Sequence, residues 1–186
     1  MALVASGRAN EVVLIAGQIA SGKTRLGAEL ARDGGAQLIV VRSAIQAIMG
    51  GAGWDRRRLQ VEGAALDRRT NGRWLLEYVE TSWEASGRLV VDAARTRRQV
   101  EPILDRHVGA RLVFLEASEV TRRRRYAQAQ AEDAVKRALS FDDAMAHVTE
   151  SDALALAAMA HFVIETDDLD STEVADEAVA FLGWSR

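Results

Sequence analysis

The chain has 186 residues, a net charge of −3 at pH 7 and no cysteine. Its length and its 48% hydrophobic content suit one globular domain, 1–186, with a sizeable core. The lack of cysteine excludes disulfides, thiolate metal sites and a cysteine nucleophile, and the slightly acidic balance argues against a nucleic-acid coat or a membrane-surface protein. No apolar run approaches the roughly 18 residues that span a bilayer. Met1–Asn10 lacks the apolar stretch of a signal peptide, so we expect a cytoplasmic protein.

The first predicted elements are a strand and a helix separated by a glycine-rich loop. Glu11–Ala16 is a short apolar run that predicts a buried strand. Thr24–Arg32 carries Leu26 and Leu30 at helical spacing, and the pair Gly34-Gly35 predicts the end of this helix. The loop between them is therefore bounded on both sides by regular structure.

That loop has the pattern G-x-x-x-x-G-K-[ST], which binds the phosphates of a nucleotide. Two glycines let the backbone curl so that successive N–H groups point into one concavity. Lys23 brings a point charge to the β- and γ-phosphates, the Thr24 hydroxyl is a ligand for Mg²⁺, and a helix beginning here directs its positive end at the same anion. Only Lys23 and Lys136 are lysines among 24 basic residues, which indicates a need for a compact charge at position 23. The predicted ATP-phosphate site consists of Gly17, Gln18, Ile19, Ala20, Ser21, Gly22, Lys23 and Thr24.

Strands and helices alternate along the rest of the chain. Four further apolar runs predict strands: Gln37–Val41, Arg88–Asp92, Arg111–Leu115 and His161–Glu165. The predicted helical ranges are Ser43–Ser86 with breaks at its glycines, a helix capped by Thr96 with Gln99 in the capping-box position, Ser118–Gln130, Phe141–Ala160, and a last helix capped by Ser171 or Thr172. Apolar strands that are each followed by a helix indicate a parallel sheet covered on both faces. Ligands of such sheets bind beyond the carboxyl ends of the strands.

A carboxylate ends the third predicted strand. Asp92 follows Leu89-Val90-Val91 and is expected at the same edge of the sheet as Gly17. An aspartate there can hold Mg²⁺ or its water shell opposite the Thr24 hydroxyl, so we predict Thr24 and Asp92 as the metal site, partly through water. A helix-capping role for Asp92 is the alternative.

The residues after Asp92 resemble a known family. The order Asp…Arg-Thr-x-x-Gln-Val-x-x-Ile, with Arg95 and Gln99 at its centre, resembles the adenylate-kinase type of nucleoside monophosphate kinase. The segment from Phe141 to Thr166 is similar to dephospho-CoA kinases and deoxynucleotide kinases. The resemblance implies that Arg95 clamps a phosphate of the acceptor and that Gln99 reads the acceptor's base. A planar guanidinium suits bidentate phosphate binding on physical grounds as well.

The same resemblance implies a fold. We expect an α/β P-loop NTPase three-layer sandwich with a five-stranded parallel sheet in the order 2-3-1-4-5 and helices on both faces. A helical acceptor-binding insert is expected at about 42–86, and a short lid at about 122–140. The chain departs from the adenylate-kinase pattern in two places, of which the first concerns the acceptor geometry and the second speaks against adenylate kinase activity. Ala93-Ala94 replaces a longer segment with Gly and Pro, and Arg42-Ser43-Ala44 replaces the Thr-Gly-Asp that follows the second strand in adenylate kinases.

Arginines are expected to supply charge in the lid and the insert. Consecutive lid arginines point in different directions around a helix, so at most two of them reach a phosphate. Arg125 is selected because Arg125-Tyr126 resembles an Arg-Tyr pair of the family. The predicted catalytic residues are Lys23, Asp92, Arg125 and Arg137. The predicted acceptor-binding residues are Arg95, Gln99, Arg56 and Arg73. Trp74 is interpreted as a packing residue, with base stacking as the alternative.

We therefore expect an ATP- and Mg²⁺-dependent kinase that transfers the γ-phosphoryl of ATP to a nucleotide-like small molecule. One alternative is phosphorylation of a hydroxyl on a nucleoside, coenzyme precursor, sugar or modified DNA base, the last being the one way in which nucleic acid becomes a partner. Another is a nucleotide-binding regulatory module without transfer, against which stands the absence of Asp-x-x-Gly and Asn-Lys-x-Asp motifs. No membrane partner is expected, and the protein is expected to be a monomer or a homodimer.

Overall fold

The computed structural model describes residues 11–83, 87–132, 139–146 and 148–184. The strands in these residues are β1 (Glu11–Gly17), β2 (Gln37–Val40), β3 (Arg88–Asp92), β4 (Arg111–Glu116) and β5 (Phe162–Glu165). The helices are α1 (Lys23–Gly34), α2 (Val41–Met49), α3 (Arg56–Thr70), α4 (Trp74–Ser82), α5 (Arg97–Arg106), α6 (Glu119–Glu132), α7 (Phe141–Met145), α8 (Val148–Ala155) and α9 (Ser171–Leu182). A 3₁₀ turn at Ala157–Met159 precedes β5.

The five strands form one parallel sheet in the order β2-β3-β1-β4-β5. The central strand is β1, where Ile15 lies level with Asp92 of β3 and with Val113 of β4. Because parallel strands end at the same edge, the last residues of β1 and β3 open towards one site. The predicted fold class and strand order are confirmed.

Hydrophobic layers cover both faces of the sheet. On one face, Val13 and Ile15 pack against Leu26 of α1 and against α9. On the other face, Val12 and Leu14 pack with helices α2 to α5. This alternation follows from the two-residue period of a strand, and burial of both faces explains why the strand sequences are apolar throughout.

Local signals fix most of the helix ends. α1 ends at Gly34, and Gly35 follows in the left-handed region with φ +60°, as the paired glycines predicted. The start of α3 is capped by Asp55, which accepts a hydrogen bond of 2.8 Å from the main-chain N–H of Arg58. The helices α2, α3 and α4 fill the predicted insert. Among the described helices, none combines the length and the apolar character that a bilayer crossing needs.

One predicted helix is wrong as a single element. The range Phe141–Ala160 contains α7, α8 and the 3₁₀ turn. α7 is a separate short helix with its own cap, because the Ser140 hydroxyl accepts from the main-chain N–H of Asp143. Leu156, after α8, is fully buried in the layer beneath α5, and the chain turns there towards β5.

Smaller corrections concern helix starts. α9 is capped by Asp170, one residue before the predicted Ser171 or Thr172, because Asp170 and Glu173 form a reciprocal capping box. Thr96 is the N-cap residue of α5, but its hydroxyl makes no capping bond. The second strand ends at Val40, since Val41 already begins α2.

Candidate active site

The loop between β1 and α1 has the backbone that phosphate binding requires. Gly17 and Gly22 have φ of +143° and +107°, and Ala20 has φ +60°. A Cβ on Gly17 would lie 2.5 Å from the main-chain oxygen of Leu115 and 2.7 Å from Oγ of Ser21. Only glycine fits at this first position, so the loop passes directly over the end of β4.

Lys23 lies folded over this loop. Its side chain is buried, and Nζ donates a hydrogen bond of 2.5 Å to the main-chain oxygen of Gln18. The contact holds the ammonium group against the loop, and Lys23 is itself the first residue of α1. Positive charge and the helix N-terminus therefore meet at one point, which is an anion-binding arrangement.

The pair Thr24 and Asp92 joins the start of α1 to the end of β3. The Thr24 hydroxyl favours the ionised form of the Asp92 carboxylate, and Oδ1 of Asp92 is buried without a hydrogen-bond partner among the described residues. Close packing brings the two together, because a Cβ on Gly27 would be only 3.3 Å from Cβ of Asp92. A hydroxyl beside a carboxylate with an unused oxygen fits Mg²⁺, which prefers oxygen ligands and completes its shell with water and phosphate.

Positive charges surround the buried carboxylate. Burial raises the pKa of Asp92. The influences that oppose this rise, in decreasing order, are Lys23, the hydrogen bond from Thr24, Arg95 and Arg42. The sheet edge thus carries one buried acid among three cations, which is an environment for anionic ligands.

Gln99, the predicted reader of an acceptor base, is held by the protein. Its side chain is 4% exposed, and Nε2 donates to both carboxylate oxygens of Asp67 on α3, at 2.9 and 3.0 Å. Its Oε1 accepts a hydrogen bond of 2.9 Å from the main-chain N–H of Arg95. Both polar ends of the amide are therefore used within the described residues.

The other predicted acceptor residues are Arg73 and Arg56, and the structure describes the side chain of Arg73 alone. Arg73 is exposed and lines a groove of about 420 Å³ on the outer side of α4 and α5, together with Arg98 and Glu101. Arg56 begins α3, but its side chain lies outside what the structure describes. Trp74 is buried and donates from Nε1 to Asp67 at 2.6 Å, so it is a packing residue.

The lid arginines differ in their surroundings. Arg125 on α6 donates to the hydroxyl and the main-chain oxygen of Thr166, the residue after β5, and burial lowers the pKa of its guanidinium. The Thr166 hydroxyl in turn lies 3.4 Å from the main-chain oxygen of Ser21 in the phosphate loop. Arg123 pairs with Asp142 at the surface. Arg137 lies outside the described residues.

Sequence reasoning missed three residues of this region. Arg42 directly follows β2, and its place at the carboxyl end of a strand was an available signal. Thr166 follows β5 in the same way. Asp67 gave no local signal, because its partners Thr96 and Gln99 lie 29 and 32 residues further along the chain.

The fold and the phosphate loop define the class: this is a P-loop protein with the architecture of small-molecule kinases. A family model described as an AAA domain matches residues 13–149. The chain belongs to that family. There is no match among curated protein sequences.

Solved structures share this fold over nearly their whole length. Shikimate kinase from Bacteroides thetaiotaomicron has a TM-score of 0.67 and 17% identity, covering 93% of this chain and 98% of that one. Shikimate kinase from Aquifex aeolicus has a TM-score of 0.60 and 16% identity, covering 92% and 96%. A gluconokinase from Sinorhizobium meliloti has a TM-score of 0.53 and 18% identity, covering 95% and 93%. These likenesses show a shared P-loop kinase fold and do not single out the nucleoside monophosphate kinases.

Proposed function

We propose that this protein is an ATP-dependent kinase that phosphorylates a hydroxyl group of a small acceptor carrying an anionic group. The observation that carries the proposal is the sheet edge at which the phosphate loop, the pair Thr24 and Asp92, and the cations Arg42 and Arg95 come together. A donor site needs the phosphate loop and the pair Thr24 and Asp92. An anionic acceptor needs the two arginines.

On the donor side, the loop amides and Lys23 bind the β- and γ-phosphates of ATP. Thr24 and Asp92 would hold Mg²⁺, which supplies positive charge against the phosphate oxygens. Arg125 remains a proposed catalytic residue, because it lies one hydrogen-bonded residue, Thr166, away from the phosphate loop. Arg137 is proposed on sequence grounds alone.

On the acceptor side, the amide of Gln99 favours a hydroxylated acid over a nucleotide. A nucleobase is read by free amide or carbonyl groups, and both ends of the Gln99 amide are engaged with Asp67 and Arg95. Arg95 and Arg42 suit a carboxylate or a phosphate, which a guanidinium binds through two parallel hydrogen bonds. The names of the similar structures, shikimate kinase and gluconokinase, support an acceptor of this class.

The chemistry is an in-line displacement. The acceptor hydroxyl oxygen forms a bond to the γ-phosphorus, and the bond from that phosphorus to the bridging oxygen of ADP breaks. The products are ADP, the phosphate ester and one released proton. The protein contributes placement and charge, because the transition state spreads negative charge over the transferred group.

The test is a panel of acceptors with Mg-ATP, in which ADP release and product mass are followed. The panel contains hydroxylated acids, including shikimate and gluconate, then neutral sugars, nucleosides and nucleoside monophosphates. We expect ADP release with hydroxylated acids and its loss in Lys23→Ala. Arg95→Ala should raise the acceptor KM while the ATP KM stays the same. Turnover with nucleoside monophosphates alone would replace the proposal by a nucleotide kinase, and ATP binding without turnover on any acceptor would leave a regulatory module.

A further inference from the structure

The carboxylate of Asp67 joins three helices of the acceptor side. From its place on α3 it accepts a hydrogen bond of 2.6 Å from Nε1 of Trp74 on α4. From α5 it accepts two bonds from Gln99, at 2.9 and 3.0 Å, and one of 3.3 Å from the hydroxyl of the cap residue Thr96. Hydrogen bonds to an ionised carboxylate are stronger than those between neutral groups, so this is a strong local junction.

The junction continues from Asp67 to the backbone of Arg95. Oε1 of Gln99 accepts from the main-chain N–H of Arg95, so the amide connects the α3 carboxylate with the segment that leaves β3. The N–H of Arg95 precedes α5, so no helical carbonyl accepts its hydrogen bond. The side chain of Gln99 supplies the acceptor. Asp67, in the insert, is thereby linked to the backbone of Arg95 through the side chain of Gln99.

A second contact fixes the same two regions. Gly72, in the turn between α3 and α4, packs on the backbone of Arg98, where a Cβ would be 2.3 Å from the main-chain oxygen. Ala93, just after the sheet edge, has φ +78°, a left-handed conformation that is strained for a residue with a Cβ. A strained segment keeps its shape only when its surroundings hold it, and the bond from the Arg95 N–H to Gln99 holds this one two residues after Ala93.

We infer that Asp67 is a positioning residue for the acceptor half of the site. Its carboxylate orients the Gln99 amide, and the amide holds the Arg95 backbone so that the guanidinium meets the acceptor. This inference rests on the proposed function, in which Arg95 binds the acceptor. Asp67 itself touches neither ATP nor acceptor in this scheme.

The first test is Asp67→Asn, which keeps the size of the side chain and replaces an acceptor oxygen by a donor group facing Gln99. We expect the KM for the acceptor to rise about tenfold, because bonds to a charged group are lost, while kcat and the ATP KM change by less than about twofold. Hydrogen exchange of the Arg95 amide should become faster, since that N–H lies outside the helix and depends on Gln99.

Two matched variants separate positioning from general stability. Trp74→Phe removes the indole donor but leaves the bonds between Asp67 and Gln99, so it should lower stability and leave the acceptor KM unchanged. The double variant Asp67→Asn/Gln99→Glu exchanges the donor and acceptor ends of the pair, while residue 99 still offers an oxygen to the Arg95 N–H. We expect this exchange to restore the acceptor KM to within about threefold of the wild type.

Exchange at Arg95 is measured without any acceptor, so the two proposals fail separately. Unchanged exchange in Asp67→Asn overturns the positioning role whatever the activity is. An equal rise of the KM for ATP and acceptor, together with a lower Tm, overturns it in favour of a purely structural role. Faster exchange in a protein whose wild type turns over no acceptor supports the Asp67 junction and overturns the proposed function.

Discussion

Thr24 and Asp92 face each other across the gap between the phosphate loop and the neighbouring strand, where the Thr24 hydroxyl favours the ionised form of the Asp92 carboxylate. They come from separate parts of the chain, and the close approach of α1 to β3 at Gly27 makes the contact possible. The site therefore depends on the packing of a helix on a sheet as much as on the motif, and its parts can be tested one at a time.

The first prediction concerns the Thr24 hydroxyl. Thr24→Val keeps the shape of the side chain but removes the hydroxyl that lies beside Asp92 and that would hold Mg²⁺. We expect kcat with Mg-ATP to fall about a hundredfold, the usual cost of one charge-stabilising contact. Thr24→Ser keeps the oxygen and should retain activity to within about threefold. Equal losses in Thr24→Val and Thr24→Ser would contradict a role for the hydroxyl.

The second prediction concerns the first glycine of the loop. Gly17→Ala places a Cβ 2.5 Å from the main-chain oxygen of Leu115, so something must move. We expect the free energy of unfolding to fall by about 3 kcal/mol and ATP affinity to be lost. Gly35→Ala is the control. The φ of Gly35 is also positive, but among the described residues no atom beyond its chain neighbours lies within 4 Å of a Cβ at this position. That variant should lose about 1 kcal/mol and bind ATP normally, as measured by denaturation and nucleotide titration.

The third prediction concerns the strained residue beside Asp92. Ala93 has φ +78°, which glycine adopts without steric cost, so Ala93→Gly should raise the free energy of unfolding by about 1 kcal/mol. Ala94→Gly is the same change one residue later, at a buried position outside the left-handed region. It should lower the free energy of unfolding by about 1 kcal/mol. Urea denaturation of both variants decides the matter, and a loss of stability in Ala93→Gly would contradict the strain.

The fourth prediction concerns His161 and pH. Its Nδ1 accepts a hydrogen bond of 3.0 Å from the main-chain N–H of Leu112, and desolvation together with the charge of Arg111 lowers its pKa below 6.5. The unfolded chain then binds the proton more tightly than the folded one. The stabilisation is present above pH 6.5 and is lost as the pH falls through the folded-state pKa.

Denaturation midpoints measured from above pH 6.5 down to acidic pH test whether stability falls as His161 is protonated. His161→Asn offers an oxygen to the same N–H without titrating, so the wild type should lose more stability on acidification than this variant. His107 also has a pKa lowered by burial, so His107→Asn serves as a comparison for a second histidine. If the stability of His161→Asn depends on pH as the wild type does, His161 does not cause the loss of stability at acidic pH.

The phosphate loop and the sheet could be predicted because their signals are local. Five apolar runs predicted the strands, and the glycine and lysine spacing from Gly17 to Thr24 predicted the phosphate loop. The junction at Asp67 could not be predicted, because its bonds to Gln99 and Trp74 depend on how helices pack. The capping box at Asp170 was readable in principle, since both of its residues are close in sequence.

The contact between Lys23 and the main-chain oxygen of Gln18 makes the lysine part of the framework of its own loop. The buried ammonium group ties the beginning of the loop to the first residue of α1, five residues further along the chain. Lys23→Ala therefore removes a structural tie together with a positive charge. Denaturation of that variant measures the structural part of its effect separately from any loss of activity.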